Sequence, residues 1–273
     1  MSCPEIFVWK IFFFAFIMPL MKPRFFALLF ALFVGASSIL AQAPPAAPAT
    51  APARPTHQAA DVAAPKLGRD GQPDAGFLKR HEGFVQIAKK GDVDLVFLGD
   101  SITDGWNGQK EIWGKAFGAY KPANFGIGGD RTQHVLWRIT NGELDGIAPK
   151  AAVLMIGTNN SGSDPAEDIA AGIKRIVETI HAKSPKTKVL LLAVFPRGEK
   201  PNPQREKLKA VNSSIAKLDN GKDVFYLDIG DKFLEPDGSL SKEIMPDFLH
   251  LSAKGYQIWA DAIAAPLERL MKS

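Results

Sequence analysis

Cysteine is almost absent from this sequence. The 273 residues include a single one, Cys3, so the rest of the chain can hold neither a disulfide nor a thiolate metal site, and a cysteine nucleophile is excluded. The sequence also lacks an H-E-x-x-H zinc motif, a phosphate-binding Walker loop and a G-x-S-x-G nucleophile elbow. These absences argue against zinc proteases, P-loop nucleotide hydrolases and the α/β-hydrolase family.

A strong excess of charge of one sign is missing too. The formal net charge is +4, and three of the basic residues and one acidic residue lie within the first 43 positions. Because no stretch rich in Lys and Arg accompanies the surplus, we expect no nucleic-acid partner. The 46% hydrophobic and 23% charged residues are ordinary for a globular protein and exclude disorder throughout.

Residues 1–43 have the layout of a secretory signal region. The charged residues Lys22 and Arg24 follow Met21 and precede an apolar run over 25–34, and an A-x-A cleavage site ends at Ala43. We interpret Met21 as the true start and expect a secreted or periplasmic protein, cleaved after Ala43, without stable membrane insertion after processing. The alternative is an uncleaved anchor that uses both apolar runs of residues 1–43, which the charges between the runs disfavour.

The next segment, residues 44–65, consists mostly of Ala and Pro and is nearly free of large apolar side chains. Such a composition cannot bury enough surface to offset its ordering entropy, so we interpret it as an extended linker. No second linker and no internal repeat follow. Residues 66–273 are therefore predicted to form a single domain.

Five short apolar runs alternate with amphipathic stretches in this domain. They show no polar alternation, as expected of strands buried on both faces, and they span 94–98, 123–125, 151–156, 188–194 and 224–228. Between them, apolar residues such as Ile169, Ile173 and Ile176 recur at helical spacing. Strands separated by helices predict a parallel sheet covered on both sides, an α/β sandwich that binds ligands beyond the carboxyl ends of its strands.

Small and polar residues stand at those strand ends. Ser101 follows the first strand, a glycine-rich turn containing Gly129 follows the second, and Asn159 follows the third. Each has a plain structural interpretation when it is taken alone. Ser101 can cap a helix, the glycines can form a tight turn of the phosphate-binding kind, and Asn159 can be a turn former.

A carboxylate and an imidazole, Asp247 and His250, stand three residues apart near the C-terminus. Alone they would be a paired surface histidine, but together with the strand-end residues they favour catalysis. Ser101 then suits a nucleophile, His250 a general base and Asp247 the group that orients it. The backbone N–H groups of Ser101 and Gly129, with the Asn159 amide, would supply donors for an oxyanion.

In this order the residues resemble the four blocks of the SGNH (GDSL) hydrolase family: Gly99-Asp100-Ser101, Gly129, Gly157-x-Asn159 and Asp247-x-x-His250. Longer strings, such as NFGIGGD over 124–130 and DFLHLS over 247–252, resemble esterases like the catalytic subunits of platelet-activating-factor acetylhydrolase type IB. The resemblance implies a flavodoxin-like, three-layer α/β/α fold with five parallel strands in the order 2-1-3-4-5. It also implies a serine esterase without metal or other cofactor, and it suggests a homodimer.

The resemblance assigns Ser101 as nucleophile, His250 as base and Asp247 as its partner. It assigns Ser101, Gly129 and Asn159 to the oxyanion hole. The segment after Ser101 reads ITDGWNG, unlike those subunits, and the exported members that the chain resembles are commonly polysaccharide deacetylases. We therefore expect short acyl esters, acetyl first, on carbohydrates. The alternatives are a lysophospholipid or other lipid ester, and a non-catalytic module that binds a glycan or a protein.

Substrate contacts are predicted from two further groups of residues. Trp106 and Trp113 could pack against a sugar face or an acyl chain, and they are equally well explained as core aromatics. Arg197, Lys200 and Arg205 could surround the mouth of the site, although solvated loop charges explain them at least as well.

Overall fold

The computed structural model describes residues 57–272, so the predicted signal region and most of the predicted linker lie outside the described residues. The strands are β1 Leu95–Gly99, β2 Pro122–Gly126, β3 Ala151–Met155, β4 Lys188–Leu192 and β5 Val224–Leu227. The helices are α1 Ala75–Lys90, α2 Ser101–Asp104, α3 Lys110–Phe117, α4 Thr132–Arg138, α5 Ala166–Lys183, α6 Pro203–Ile215 and α7 Ala253–Lys272. None of the helices within this range is long and apolar enough to cross a membrane.

The five strands form one sheet in the order β2-β1-β3-β4-β5, with every neighbouring pair parallel. This confirms the predicted fold class and strand order. Gly99 at the end of β1 pairs with Gly126 at the end of β2 and with Met155 at the end of β3. These three strands therefore end at the same level, and the segments that follow them start side by side.

Both faces of the sheet are buried, which explains why the apolar runs show no polar alternation. Val96 and Leu98 of β1 belong to a core cluster shared with α1, α4, α5 and α6. Leu95 and Phe97 belong to a second cluster on the opposite face, shared with α3 and α7. Successive side chains of one strand thus enter different layers, as the pleat of a strand requires.

Residues 57–65 belong to the folded part, so the prediction that the domain begins at residue 66 was wrong. We call residues 57–66 the N-terminal strap. The carbonyl of Ala60, 1% exposed, accepts a hydrogen bond from Thr132 Oγ1 at 2.7 Å. Gly172 of α5 makes room for it, because a Cβ there would lie 2.4 Å from the Ala60 oxygen. The small side chains that predicted an extended linker are the ones that allow the strap to lie close against the helices.

Candidate active site

Ser101 is the first residue of α2 and follows β1 after the single residue Asp100. Asp100 caps the helix, since its Oδ1 accepts the Ile102 N–H at 3.0 Å. The turn from strand to helix is so tight that a Cβ at Gly99 would lie 2.1 Å from Thr103 Oγ1. A glycine before the Asp-Ser pair is therefore a steric requirement of this turn. The turn places Ser101 at the carboxyl edge of the sheet.

The structure brings Ser101, His250 and Asp247 into one hydrogen-bonded chain. Ser101 Oγ lies 2.9 Å from His250 Nε2, and His250 Nδ1 lies 2.6 Å from Asp247 Oδ2. An ionised carboxylate can only accept, so Nδ1 carries the proton, and Nε2 is left to accept the Ser101 hydroxyl. This is the tautomer that a general base acting on the serine needs.

The turn that holds Asp247 and His250 is built by Asp247 itself. Its Oδ1 accepts the backbone N–H groups of His250 at 2.7 Å and Leu249 at 3.1 Å. Partial burial works against the charged form of Asp247, but the hydrogen bonds from the His250 ring and backbone outweigh it and hold the pKa of the carboxyl below its ordinary value. Asp247 is therefore a carboxylate anion in neutral solution.

Two further donors lie at the same edge of the sheet. Gly129 sits in a turn in which the Asp130 N–H donates to the Ile127 carbonyl at 3.1 Å. Asn159 Nδ2 donates to the Asp130 carbonyl at 2.8 Å. An amide nitrogen has two hydrogens, so this bond fixes the Asn159 side chain and leaves its second N–H for a ligand.

Residues 97–258 match the sequence model of the GDSL-like Lipase/Acylhydrolase family. The chain belongs to this family. It is accordingly a carboxylic ester hydrolase, and this replaces the non-catalytic binding module as an interpretation.

Relatives and solved structures agree with the family. The chain is 43% identical over 214 residues to platelet-activating factor acetylhydrolase IB subunit alpha2 of Rattus norvegicus, which covers 77% of this chain and 90% of that protein. A GDSL-like lipase from Bacteroides thetaiotaomicron superposes with a TM-score of 0.59 at 21% identity, over 71% of this chain and 98% of that one. The carbohydrate acetylesterase Est24 of Sinorhizobium meliloti gives 0.52 at 20% identity, over 65% and 99%. The two structures show the shared fold.

In this GDSL-like hydrolase a buried arginine holds Asp130, the residue that follows Gly129 in the turn. Arg138 of α4 donates through Nε to Asp130 Oδ2 at 2.9 Å and through Nη1 to Glu143. All three residues are fully buried. This cluster was missed in the sequence, and the one available signal was that Arg138 stands between the apolar residues Trp137 and Ile139.

Asp100 is the buried carboxyl closest in sequence to the nucleophile. Its side chain is 0% exposed, and its Oδ2 has no hydrogen-bond partner. Burial, foremost among the causes, raises the pKa of Asp100 to about 7, while the Ile102 N–H opposes the shift. The hydrolase thus keeps a carboxyl next to Ser101 that stays partly protonated in neutral solution.

Trp106 does not reach the site, so its prediction as a substrate contact was wrong. The residue is 1% exposed. The short α2 is followed directly by a 3-10 turn over Gly105–Gly108, in which Trp106 is the buried residue. The indole consequently packs in the core, against the rings of Phe97, Trp113, Phe117, Tyr256 and Trp259.

Arg197 lies near the site, whereas Arg205 has a structural role. Arg197 Nη1 donates to the carbonyl and the hydroxyl of Thr158, both at 3.1 Å, next to Asn159. Burial lowers the pKa of its guanidinium, and the charges of Asp100 and Asp247 oppose this. Arg205 is 4% exposed and donates to backbone carbonyls, among them that of Arg197 at 2.8 Å. A substrate contact by Arg197 stays a prediction.

No metal site accompanies these residues within the described range. Among residues 57–272 no group of three or more His, Cys, Asp or Glu side chains lies close enough together to hold a metal ion.

Proposed function

We propose that the protein hydrolyses short-chain acyl esters, acetyl esters first, with Ser101 as nucleophile. The observation that carries this proposal is the hydrogen-bonded chain from Ser101 Oγ through the His250 ring to Asp247. His250 Nε2 takes the hydroxyl proton as Ser101 Oγ attacks the acyl carbon, and the Asp247 carboxylate stabilises the imidazolium that forms. The proton then passes to the leaving alcohol, and the acyl group stays on Ser101 as an ester.

The oxyanion of each tetrahedral intermediate is stabilised by three donors, namely the N–H groups of Ser101 and Gly129 and the free N–H of Asn159. The Asn159 amide is already fixed by its bond to the Asp130 carbonyl, so it needs no reorganisation when charge develops on the substrate. In the second half of the reaction, His250 takes a proton from water, which attacks the acyl carbon and releases the carboxylic acid. Ser101 recovers its proton from His250.

The acyl and alcohol parts of the substrate are supported by different observations. The name of the 43% identical relative, an acetylhydrolase, supports an acetyl group. His250 and Asp247 have side chains 44% and 55% exposed, which leaves room for a bulky alcohol beside the base. We propose a carbohydrate hydroxyl as the alcohol part, so that the substrate is an acetylated carbohydrate, because the N-terminal pattern of residues 21–43 favours export and the segment after Ser101 differs from the acetylhydrolase subunits that the sequence resembles.

A lipid ester is the second candidate. It is favoured by the same relative, which is named for platelet-activating factor.

Export and the homodimer are also proposals. N-terminal sequencing of the mature protein tests cleavage after Ala43, and light scattering tests the dimer.

A substrate panel with matched variants tests the proposal. Purified protein is assayed on p-nitrophenyl acetate, butyrate and octanoate, on acetylated xylan and on a lysophospholipid. Ser101→Ala should abolish hydrolysis, and Asn159→Ala should lower kcat about a hundredfold or more. Ser213→Ala on the exposed side of α6 is the control.

The outcomes separate the candidates. Activity confined to acetyl esters, including xylan, supports the carbohydrate esterase, whereas a preference for octanoate or lysophospholipid moves the assignment to lipid esters. Equal rates for wild type and Ser101→Ala would refute the mechanism.

A further inference from the structure

The proposed Gly129 donor belongs to the central peptide of a tight turn. The Asp130 N–H bonds back to the Ile127 carbonyl at 3.1 Å, and Gly129 has a φ of 74°. A positive φ at the third residue alone is the type II pattern. In a type I turn the central peptide faces the other way, and with Gly128 and Gly129 at the central positions no Cβ opposes either arrangement. The turn by itself therefore does not fix the direction of the Gly129 N–H.

Lys66, the last residue of the strap, contacts this peptide. Its Nζ donates to the Gly128 carbonyl at 2.5 Å, and a Cβ on Gly129 would lie 2.8 Å from Nζ. The Gly128 carbonyl and the Gly129 N–H are the two ends of one planar group and point in opposite directions. A reversed peptide would direct its N–H at the ammonium, which has donors and no acceptor. Lys66 therefore favours the arrangement in which the Gly129 N–H points away from the strap.

The backbone around Lys66 is held from two directions. The Lys66 carbonyl accepts the Asp74 N–H at 2.8 Å, and the carbonyl of the preceding Pro65 accepts Gln58 Nε2 at 2.9 Å. At the start of the same strap, His57 Nε2 lies 2.9 Å from Asp164 Oδ1. These bonds fix the backbone from which the Lys66 side chain reaches the turn.

We propose that Lys66 is a positioning residue whose ammonium orients and polarises the Gly128–Gly129 peptide as a donor to the oxyanion. The inference rests on the proposed function. A cation at the carbonyl end of a peptide makes the N–H at the other end a stronger donor, because hydrogen bonds through one group polarise each other. Lys66 itself does not touch the substrate. The strap is on this account a part of the active site, supplied by a segment that precedes the first helix.

Kinetics of matched variants test the effect on the reaction. Lys66→Met removes the charge and keeps an aliphatic side chain, so kcat for p-nitrophenyl acetate should fall about tenfold, less than for loss of a donor itself. KM should stay within about twofold, because the effect arises only as charge develops on the substrate. Lys66→Arg should recover most of the loss. Arg69→Met, at an exposed cation three residues further on, should leave kcat unchanged.

Amide NMR supplies a readout that does not need esterase activity. In ¹⁵N-labelled protein the Gly129 amide resonance should shift in Lys66→Met, return toward its original position in Lys66→Arg and stay in place in Arg69→Met. An unchanged kcat or an unchanged Gly129 resonance in Lys66→Met overturns the inference and leaves the proposed function standing. If the wild type hydrolyses no ester, the proposed function fails, and the Gly129 resonance alone then decides whether Lys66 orients the peptide.

Discussion

The nucleophile and the base of this site are held in opposite ways. Ser101 follows the central part of the sheet, and its neighbour Asp100 is 0% exposed. His250 and Asp247 lie on a loop before α7, with side chains 44% and 55% exposed. Packing against strands and helices fixes the first pair, whereas hydrogen bonds within one four-residue turn fix the second.

The difference teaches where each kind of substitution should act. A polar group in a packed, water-free position changes stability when it is altered, because its solvation was lost on folding. An exposed group that bonds mainly within its own turn contributes little to the global stability. Substitutions at the base should therefore change the rate without unfolding the domain, and substitutions beneath the nucleophile should change stability.

Among the substitutions that compare the two regions, replacing the base gives the largest expected effect. His250→Ala should lower kcat for p-nitrophenyl acetate by about 10⁴-fold, since it removes the nitrogen that lies 2.9 Å from Ser101 Oγ and takes its proton. The urea midpoint should change little, because the ring is partly exposed. Steady-state kinetics and urea unfolding on the same preparations measure the two effects.

The control is His181→Ala, a histidine on the remote helix α5, which should leave kcat unchanged. A His250→Ala variant that keeps a tenth of the activity would show that His250 is not the base. A His250→Ala variant whose urea midpoint falls together with its kcat would contradict the separation of the two regions.

The residues that sequence reasoning brought together share one geometric cause. Ser101, Gly129 and Asn159 follow three parallel strands, and parallel strands end at a common edge. Periodicity identifies such strands, so the meeting of these residues could be predicted from the sequence alone. Asp247 and His250 could be added because a local D-x-x-H turn needs no long-range information.

The residues that were missed or misassigned depend on packing between elements that no local pattern encodes. Arg138 looks like an ordinary helix charge until the fold places Asp130 and Glu143 around it. Trp106 looks like a substrate contact by its distance from Ser101 along the chain, yet a 3-10 turn carries it into the core. Composition likewise cannot reveal that a short Ala-rich segment lies against α5.

Asp100→Asn tests the buried side of the comparison through pH. The folded pKa is about 7 and the reference value is 3.8, so between these values the folded chain keeps a proton that the unfolded chain has lost. The stabilising contribution of Asp100 is thus complete below about pH 4 and is lost as the pH rises to 7. Asn cannot ionise, so the stability of Asp100→Asn relative to wild type should grow as the pH rises from about 4 to 7.

At pH 7.5 the gain in the free energy of unfolding should reach about 2 kcal/mol. The pKa difference alone would give about 4 kcal/mol, and the new amide N–H at the unpartnered Oδ2 position offsets part of it. Urea unfolding at pH 4, 5.5 and 7.5 measures the trend, with Asp61→Asn in the exposed part of the strap as control. A difference that is independent of pH would mean that Asp100 is ionised in the folded chain.

Phe248 offers the smallest effect and tests the turn on the base side. It lies between Asp247 and His250 with a φ of 60°, a region that L residues with a Cβ rarely adopt. Phe248→Gly and Phe248→Ala lose the same ring, so their difference isolates the backbone. We expect Gly to be more stable than Ala by about 0.5–1 kcal/mol. The order should be reversed at the exposed helical position Lys174, where Ala should be more stable than Gly by about 1 kcal/mol. If Ala is the more stable at both positions, Phe248 does not hold this conformation in solution, and the hydrogen bonds of Asp247 must fix His250 without help from a strained turn.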